Sequence, residues 1–320
     1  MILIITNNED ASTNDVIDWL DFYDADFFRI NASDIFNYKN FCIYIDNYDD
    51  TKIIINNREI NLKEINSIWY RRWGYSFNKE YNDIQISSSL QTEFKDISNY
   101  LFRLFKNIPS INVIEDFQLD KLTQLEYAKK AGLLIPDTLV SNKRSNCYDF
   151  IDSESSYITK PLKAKIYLQK GNDTYLNYTS QIDKNKLPIE DYFFPCLIQK
   201  EITKDIEIRT FILDKKCYSM AIFSQSDNQT KVDFRNYNLE KPNRHVPYKL
   251  PDEIEEKLLL FMEYVNLNCG SIDIILSKDS EYYFLEVNPV GQFGMVSIPC
   301  NYCIEEKIAL KLIEFDKNGK

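Results

Sequence analysis

The stretch that decides the fold is Leu285-Glu286-Val287-Asn288-Pro289-Val290-Gly291-Gln292, together with Asp273, thirteen positions before the glutamate. The segments Gly270–Ile275 and Tyr282–Asn288 are apolar and β-branched, and a polar turn separates them, which predicts a β-hairpin. The glutamate and the asparagine are two apart in one strand and therefore share a face. The aspartate can point to that same face from the neighbouring strand.

Asp273, Glu286 and Asn288 thus form a candidate set of hard oxygen ligands. Mg²⁺ that is bound by few protein oxygens, with phosphates completing its shell, favours such a set. The alternative is a solvated strand end that carries three polar residues by chance. The Asn288-Pro289 pair disfavours it, because the proline stops the strand directly after the last candidate ligand.

The composition limits the class of protein. The chain has 320 residues, 44% of them hydrophobic and 14% aromatic, which suffices for one large or two to three small domains. A net charge of −11 disfavours a general nucleic-acid binder. No run of 18 uncharged apolar residues exists to span a membrane. The segment Met1–Ile5 is typical of a first strand and not of a signal peptide, so we expect a cytoplasmic protein.

Histidine and cysteine usage narrows the chemistry further. The only histidine, His245, lies in a segment predicted to be an exposed loop, which argues against Ser-His-Asp or Cys-His hydrolysis. The seven cysteines are scattered and odd in number, as reduced thiols are. Cys300 and Cys303 have CxxC spacing, but a zinc site needs two more ligands. We expect them to be small buried residues.

The order of predicted elements indicates a small α/β unit that is followed by α+β structure. A first strand, a helix from Asp15 to Leu20 behind a Ser12 capping box, a hairpin at Asn56-Asn57 and a long helix opening at Ser88 precede a boundary near residues 109–116. Beyond it we predict a helix at Asp120–Ala131, strands at Tyr157–Lys160 and Cys196–Gln199, a hairpin of Glu207–Leu213 with Cys217–Phe223, a helix after Pro251, and a last helix through Ile304, Ile308 and Leu312.

The aspartate followed by a strand ending Glu-x-Asn-Pro-x-Gly-Gln resembles the metal-binding end of ATP-grasp ligases. It resembles most closely the graspetide synthetases, which include the microviridin-type ligases and the grasp-with-spasm maturases, over nearly the whole chain. The resemblance implies an ATP-grasp fold of α/β and α+β type, in which two subdomains clasp ATP. It places an N-terminal α/β domain at 1–115, a central subdomain at 116–200 and a C-terminal subdomain at 201–320.

The resemblance also implies nucleotide-binding residues. Lys121, at the start of a helix, and Lys160, at the end of a strand, match the two ATP-grasp lysines that contact phosphates. Either lysine taken alone is better explained as a solvent-exposed residue. Only the whole set of motifs, occurring in the family's order, indicates nucleotide binding. The hinge segment Gln199-Lys200-Glu201-Ile202 would hold the adenine edge by its backbone. Glu207 is a candidate ribose-side acid. Where a glycine-rich phosphate loop is usual, Leu162–Gly171 instead holds one glycine and three lysines, namely Lys163, Lys165 and Lys170.

Three arginines are candidates for contacting the reacting groups. Arg209 matches the arginine of the family's acidic-x-Arg strand, where it would neutralise phosphate or acyl-phosphate charge; an ion pair with Glu207 is the alternative. Arg235 would hold a substrate carboxylate. Arg71 and Arg72 follow a predicted strand at Ser67–Tyr70, and we expect them to point to opposite faces, with Arg72 toward the site. Stacking of an arginine on Trp69 or Trp73 is the alternative.

The expected function is ATP-dependent ligation with Mg²⁺, two ions being expected on Asp273, Glu286 and Asn288. The resemblance implies a ribosomal precursor peptide, with leader and core, as the partner. A side-chain carboxylate of that peptide would become an acyl phosphate, and a side-chain hydroxyl or amine would close an ester or amide ring. The alternatives are a ligase for a free amino acid or amine, and a non-catalytic nucleotide-binding module. A homodimer is left open; nucleic acid and membrane are not expected partners.

Overall fold

The computed structural model describes residues 1–36, 40–47, 51–77, 83–112, 119–162, 167–170, 173–176, 179–225 and 242–319. The chain divides into two compact units. The first unit comprises Met1–Phe117, Gln292–Ser297 and Cys303–Lys320, and the second unit comprises Gln118–Gly291 and Ile298–Tyr302. The predicted division into three ranges (1–115, 116–200 and 201–320) stays a prediction. Within the described part of the chain, no helix has the length and apolar character needed to cross a membrane.

The helices and strands follow one another in a mixed order. The first unit holds β1 (Ile2–Thr6), α1 (Ala11–Phe22), β2 (Phe27–Asn31), β3 (Phe41–Tyr44), β4 (Lys52–Ile55), β5 (Arg58–Ile60), β6 (Ser67–Tyr70), α2 (Ile84–Phe105) and β7 (Ser110–Ile111). The second unit holds α3 (Lys121–Lys130), β8 (Thr138–Lys143), α4 (Arg144–Phe150), β9 (Tyr157–Lys160), β10 (Tyr167–Lys170), β11 (Asp173–Leu176), β12 (Ser180–Ile182), β13 (Tyr192–Lys200), β14 (Lys204–Leu213), β15 (Lys216–Phe223), β16 (Arg244–Tyr248), α5 (Asp252–Tyr264), β17 (Cys269–Ser277) and β18 (Tyr282–Asn288). The short helix α6 (Gly294–Cys300) has residues in both units, and α7 (Ile304–Asn318) belongs to the first.

The first unit is built on a four-stranded parallel sheet of order β2-β1-β6-β7. Every residue of β1 is buried, as expected of a central parallel strand that is covered on both faces. A second, antiparallel sheet joins β3, β4 and β5, and its β4–β5 turn has positive φ at both Asn56 (55°) and Asn57 (63°). Positive φ at both central residues defines the hairpin turn that this Asn-Asn pair predicts.

Two helices of the first unit begin earlier than predicted. Helix α1 begins at Ala11 after Asp10, and not at Asp15. Helix α2 begins at Ile84, because the Asp83 side chain accepts the backbone N–H groups of the second and third helical residues. An aspartate that satisfies these donors is as strong an N-cap as the predicted Ser88, and it lies more than one turn earlier.

The second unit contains a four-stranded sheet of order β12-β9-β13-β8 and a five-stranded antiparallel sheet of order β16-β15-β14-β17-β18. The apolar face of the five-stranded sheet packs against α3 and α5. On β14 the core residues are Ile206, Ile208 and Ile212. Because strand side chains alternate, Glu207 and Arg209 lie on the opposite face of this sheet.

Helix α3 agrees with its predicted range. The Asp120 side chain accepts the N–H groups of Leu122 (2.9 Å) and Thr123 (3.0 Å) at the N-terminus. At the C-terminus Gly132 has φ of 80°, Leu133 N–H bonds to Ala128 O at 3.0 Å and Gly132 N–H bonds to Lys129 O at 3.0 Å. This two-bond, left-handed ending is the Schellman motif, which fixes where the helix stops.

Candidate active site

Three charged residues line up across neighbouring strands of the five-stranded sheet. Arg209 of β14 lies directly opposite Asp273 of β17, and Asp273 lies directly opposite Glu286 of β18. Directly opposed residues of antiparallel strands present their side chains on one face, with Cβ atoms roughly 5 Å apart. Asn288 lies two residues beyond Glu286, opposite Ser271, and therefore shares that face.

Each carboxylate of this row has a cationic partner. Arg209 Nη1 lies 3.2 Å from Asp273 Oδ1, and Lys121 Nζ lies 3.2 Å from Glu286 Oε2. The carboxylate side chains are 14% and 20% exposed, so both pairs are only partly accessible to solvent. Lys121 Nζ also donates to the carbonyl oxygen of Pro161 at 3.2 Å. The structure thus brings Lys121 both to β18, which carries Glu286, and to the end of β9, which carries Lys160.

Glu207, the candidate ribose-side acid, is held in a buried network. Its Oε1 accepts hydrogen bonds from Lys204 Nζ at 2.8 Å and from Ser224 Oγ at 2.6 Å. Burial raises the pKa of Glu207, with Asp273 adding to the rise, while Lys204 and Ser224 oppose it. Lys204 was not predicted from the sequence, where it is one lysine among many. Glu207 and Arg209 therefore have different ionic partners, in place of the alternative pair between them.

Gln124 is a second polar residue that sequence reasoning missed. Its Oε1 accepts the backbone N–H of Val287 at 2.8 Å, and its Nε2 donates to Leu119 O at 3.1 Å. Val287 stands between the two candidate ligands of β18. The only local signal is a polar side chain one turn after Lys121 on a helix, and its partner lies 163 positions away.

The predicted adenine hinge follows β13. The buried Gln199 donates from Nε2 to Thr138 Oγ1 at 2.8 Å. The backbone N–H groups of Lys200 and Glu201 donate to Asp137 O (2.9 Å) and Ser156 O (2.8 Å). Since both N–H groups serve the protein's own backbone, Ile202 begins the part of the hinge that would offer an N–H to a base. The adenine contacts stay a prediction.

The two adjacent arginines of the first unit do not point to opposite faces, so that prediction is wrong. Strand β6 ends at Tyr70, and the N–H groups of Arg71 and Arg72 both approach Ile5 O, at 2.9 and 3.3 Å. Without a continuing strand the alternation is lost, and both Nε atoms lie near Asp10 carboxylate oxygens, at 3.0 and 3.8 Å. Arg71 is buried with its guanidinium 5.5 Å from the Phe293 ring centre, and Arg72 is partly exposed.

Several predicted residues lie outside the described part of the chain. Arg235 is one of them, within 226–241, and Lys163 and Lys165 are others. Of Lys170 the structure describes only the backbone. The predicted roles of Arg235 in binding a carboxylate and of the three lysines in covering phosphates therefore stay predictions, as does that of Arg72.

The donor set on β17 and β18 fits Mg²⁺. It offers two partly exposed carboxylates on one sheet face and the exposed amide of Asn288, whose Oδ1 accepts Val290 N–H at 3.1 Å. Lys121 and Arg209 already bring positive charge to both carboxylates, as a metal would. Across the described residues, no three His, Cys, Asp or Glu side chains converge as metal ligands. Two carboxylates and an amide, with substrate oxygens completing the shell, are a magnesium arrangement and not a zinc one.

Solved structures resemble the chain over almost its whole length. One is a Chryseobacterium gregarium RiPP-associated ATP-grasp ligase in complex with ADP and a leader and core peptide; it is 25% identical, covers 98% of this chain and 96% of its own, and has a TM-score of 0.86. Another is the macrocyclase MdnC of Microcystis aeruginosa MRC bound with precursor peptide MdnA, with 27% identity, 98% and 100% coverage and a TM-score of 0.80. The macrocyclase MdnB of the same organism, 23% identical with 98% coverage of both chains and a TM-score of 0.77, shares the fold.

Family models account for both parts of the sequence. A comparison with curated proteins found no match. The MvdD pre-ATP grasp domain matches residues 1–125, and the RimK-like ATP-grasp domain matches residues 118–314, which is more than half of the chain. The predicted ATP-grasp fold is confirmed by these matches together with the solved structures. The chain belongs to the RimK-like ATP-grasp family, with an MvdD-type pre-ATP-grasp domain before it.

Proposed function

We propose that this protein is an ATP-dependent peptide ligase that closes side-chain ester or amide rings in a ribosomally made precursor peptide. The observation that carries the proposal is the charged row of Arg209, Asp273 and Glu286, to which Lys121 is joined. Similarity along 98% of the chain to a ligase and to a macrocyclase, each solved with peptide bound, supports a peptide substrate. The ligase also holds ADP, which supports ATP as the cosubstrate.

The proposed reaction has two balanced steps. An Asp or Glu carboxylate oxygen of the peptide attacks the γ-phosphorus of ATP, the bond to the β-γ bridging oxygen breaks, and ADP leaves. A Ser or Thr hydroxyl, or a Lys amine, then attacks the acyl carbon. The bond to the phosphate oxygen breaks, and phosphate departs with the nucleophile's proton. Each ring therefore removes one water from the peptide.

The cationic residues and the oxygen ligands of the site have different proposed roles. Lys121 and Lys160 would contact phosphate oxygens, and Arg209 would stabilise charge on the transferred phosphoryl group. Asp273, Glu286 and Asn288 would hold Mg²⁺, which when bound screens phosphate charge and aligns the displacement.

Three further assignments complete the proposed site. The segment Gln199–Ile202 would contact adenine and Glu207 the ribose, whereas Arg235 and Arg72 are the candidates for holding the peptide carboxylate. A cytoplasmic location is proposed as well, because all seven cysteines are thiols and ATP is the cosubstrate.

The test is mass spectrometry of a short precursor peptide encoded next to this protein, incubated with the purified protein, ATP and Mg²⁺. The expected result is one or more successive losses of water, each matched by one ADP. Omission of ATP and the variant Glu286→Gln serve as controls, and both should leave the peptide mass unchanged. ADP formation with a free amino acid or amine, but not with the peptide, would instead support the small-molecule ligase.

A further inference from the structure

We infer that Gln124 is a positioning residue for the metal site. It holds the backbone of β18 so that the side-chain oxygens of Glu286 and Asn288 lie where Mg²⁺ coordination requires them. The inference rests on the metal-binding role proposed for those two residues and adds a residue outside the ligand set. It is carried by three observations on α3 and β18.

The first observation concerns the edge of the sheet. Strand β18 is the last strand of the five-stranded sheet, so its outer backbone groups need partners from elsewhere. Gln124 Oε1 supplies one by accepting Val287 N–H at 2.8 Å, and the Leu134 carbonyl supplies another by accepting Phe284 N–H at 2.8 Å. The first of these bonds falls between the two ligand residues, where it fixes the backbone that both of them share.

The second observation is that both ends of this amide are used. While Oε1 binds the strand, Nε2 donates to Leu119 O at 3.1 Å, and the residue is only 5% exposed. The group must therefore accept on one side and donate on the other. An ionised carboxylate lacks the donor, and an apolar side chain lacks both functions. The chemistry of the position thus specifies a glutamine amide and not merely a buried side chain of that size.

The third observation links this bond to Lys121. Residues three apart on a helix are neighbours on one face, so Lys121 and Gln124 lie side by side on α3. Their partners, Glu286 and Val287, are consecutive on β18. One helix face therefore contacts the carboxylate of Glu286 and the backbone directly after it. The bond from Gln124 to Val287 is the contact that would persist once a nucleotide draws Lys121 to its phosphates.

Comparing the binding of two metal ions distinguishes a positioning role of Gln124 from a general effect on protein stability. Mg²⁺ requires near-ideal octahedral geometry at short distances, whereas Ca²⁺ accepts longer and more variable ones. If the strand shifts after the Val287 bond is lost, Mg²⁺ binding should fall more than Ca²⁺ binding. A loss of stability alone would weaken binding of both ions equally.

The experiment is calorimetric titration of Mg²⁺ and of Ca²⁺ into the protein saturated with ADP. The variant Gln124→Met keeps the length and removes both hydrogen bonds. We expect it to weaken Mg²⁺ binding by about fivefold, the equivalent of one net hydrogen bond, and Ca²⁺ binding by less. Gln124→Glu keeps the acceptor for Val287 but loses the donor to Leu119 O and adds a buried charge, so it should restore the preference for Mg²⁺ only in part.

The matched control is Ser297→Ala, at a position outside the strands that carry the metal ligands. Ser297 is likewise buried, and its hydroxyl also serves two partners. It accepts the backbone N–H of Ile304 at 2.9 Å and donates to Glu305 Oε2 at 2.6 Å. Removing these bonds should change the affinity for neither ion.

An unchanged Mg²⁺ affinity and an unchanged preference over Ca²⁺ in Gln124→Met would overturn the inference. Should that variant fail to fold, Gln124→Asn provides the same comparison, because its shorter amide draws the acceptor away from Val287. Glu286→Gln separates this inference from the proposed function. If Glu286→Gln binds the metal as the parent does, the proposed metal site itself is refuted. If Glu286→Gln loses metal binding while Gln124→Met keeps parental metal binding, only the role of Gln124 is refuted.

Discussion

Single charges around Asp273 and Glu286 compensate one another before any substrate binds. Arg209 and Lys121 each lie 3.2 Å from one of these carboxylates, so two acids and two cations nearly cancel. In the proposed reaction the same two cations are needed by the phosphates. Binding of the nucleotide would therefore draw Lys121 and Arg209 away and release both carboxylates to the metal. Metal and nucleotide should consequently strengthen each other's binding.

Glu286→Gln should abolish ADP production without changing the fold. The amide keeps the shape of the side chain but removes the negative charge that a metal requires. ADP release and the far-UV circular dichroism spectrum measure the two properties. Glu281→Gln, an exposed position in the same hairpin, is the control that should keep full turnover. Near-normal turnover in Glu286→Gln would remove this residue from the metal site.

Lys121→Met should strengthen metal binding in the absence of nucleotide and weaken nucleotide binding. The substitution removes the cation that competes for the Glu286 carboxylate, and it removes a charge-assisted phosphate contact of about 1.5–3 kcal/mol. Calorimetry with Mn²⁺ alone, and then with a non-hydrolysable ATP analogue, reads both effects. Lys249→Met, whose side chain is 69% exposed, should leave both affinities unchanged. Weaker metal binding in Lys121→Met would refute the compensation.

The buried Glu207 should make stability depend on pH. Burial raises its pKa above the ordinary value of 4.5, so the folded protein holds this proton more tightly than the unfolded chain. That contribution to the free energy of unfolding is complete below the ordinary value and is lost as the pH rises through the folded pKa. Urea unfolding at a series of pH values provides the measurement. As the pH rises, the free energy of unfolding of the parent should fall relative to that of Glu207→Gln, whose side chain cannot titrate. A difference that stays constant or grows with pH would contradict the assignment.

Among the elements, α3 does the most to organise the site. Its first residue contacts Glu286, its fourth contacts the backbone of Val287, and its last turn ends in the bonded motif around Gly132. The helix can place these side chains only if both of its ends are fixed. Asp120 fixes one end and the left-handed glycine fixes the other.

Gly132→Ala should destabilise the protein by about 1–2 kcal/mol, because an L-residue with φ near 80° places its Cβ against its own backbone. The space around the position is not the cause, since the nearest atom to an added Cβ would be Lys257 Cε at 3.5 Å. Thermal and urea unfolding measure the loss. Gly74→Ala, where an added Cβ meets nothing within 4 Å and φ is not positive, should cost much less. Equal effects of the two substitutions would refute this account.

Local patterns predict elements well and their long-range partners poorly. The hairpin of β17 and β18, the Asn56-Asn57 turn and α3 follow from β-branched runs, turn residues and caps, all of which act between near neighbours. Helix α2 starts earlier than predicted because Asp83 caps it ahead of the predicted serine. Helix α1 also starts earlier, after Asp10, but without a bond from the Asp10 side chain to a backbone N–H of the helix.

The site shows the same limit. The closeness of Asp273 and Glu286 follows from strand pairing within one hairpin. The bond from Gln124 to Val287 and the pairing of Lys121 with Glu286 depend on how a helix packs on a strand edge, which periodicity alone does not specify.

On the scale of the whole molecule, the first unit is assembled from distant pieces of chain. Helix α7 packs against α1, β1, β6 and β7, although more than 190 positions separate it from β7. Its buried residues are Ile304, Ile308, Ala309, Leu312 and Asp316. The first unit therefore depends on the last helix for a part of its core.

Leu312→Ala should lower the free energy of unfolding by about 2–5 kcal/mol, the range for truncating a fully buried leucine. Leu310, two residues earlier on the same helix, is 43% exposed, so Leu310→Ala is the matched control and should cost far less. Urea unfolding of both variants provides the measurement. Similar losses at the two positions would contradict the packing of α7 on the first unit.

The return of α7 also has a consequence for synthesis on the ribosome. Translation proceeds from the N- to the C-terminus, so β1 and its neighbours emerge well before α7, the helix that packs against them. Gln118–Gly291, which makes up most of the second unit, is translated in between. Until α7 emerges, the apolar residues Ile2–Ile5 of β1 would therefore lack one of their coverings, which makes the nascent chain a natural client for a chaperone.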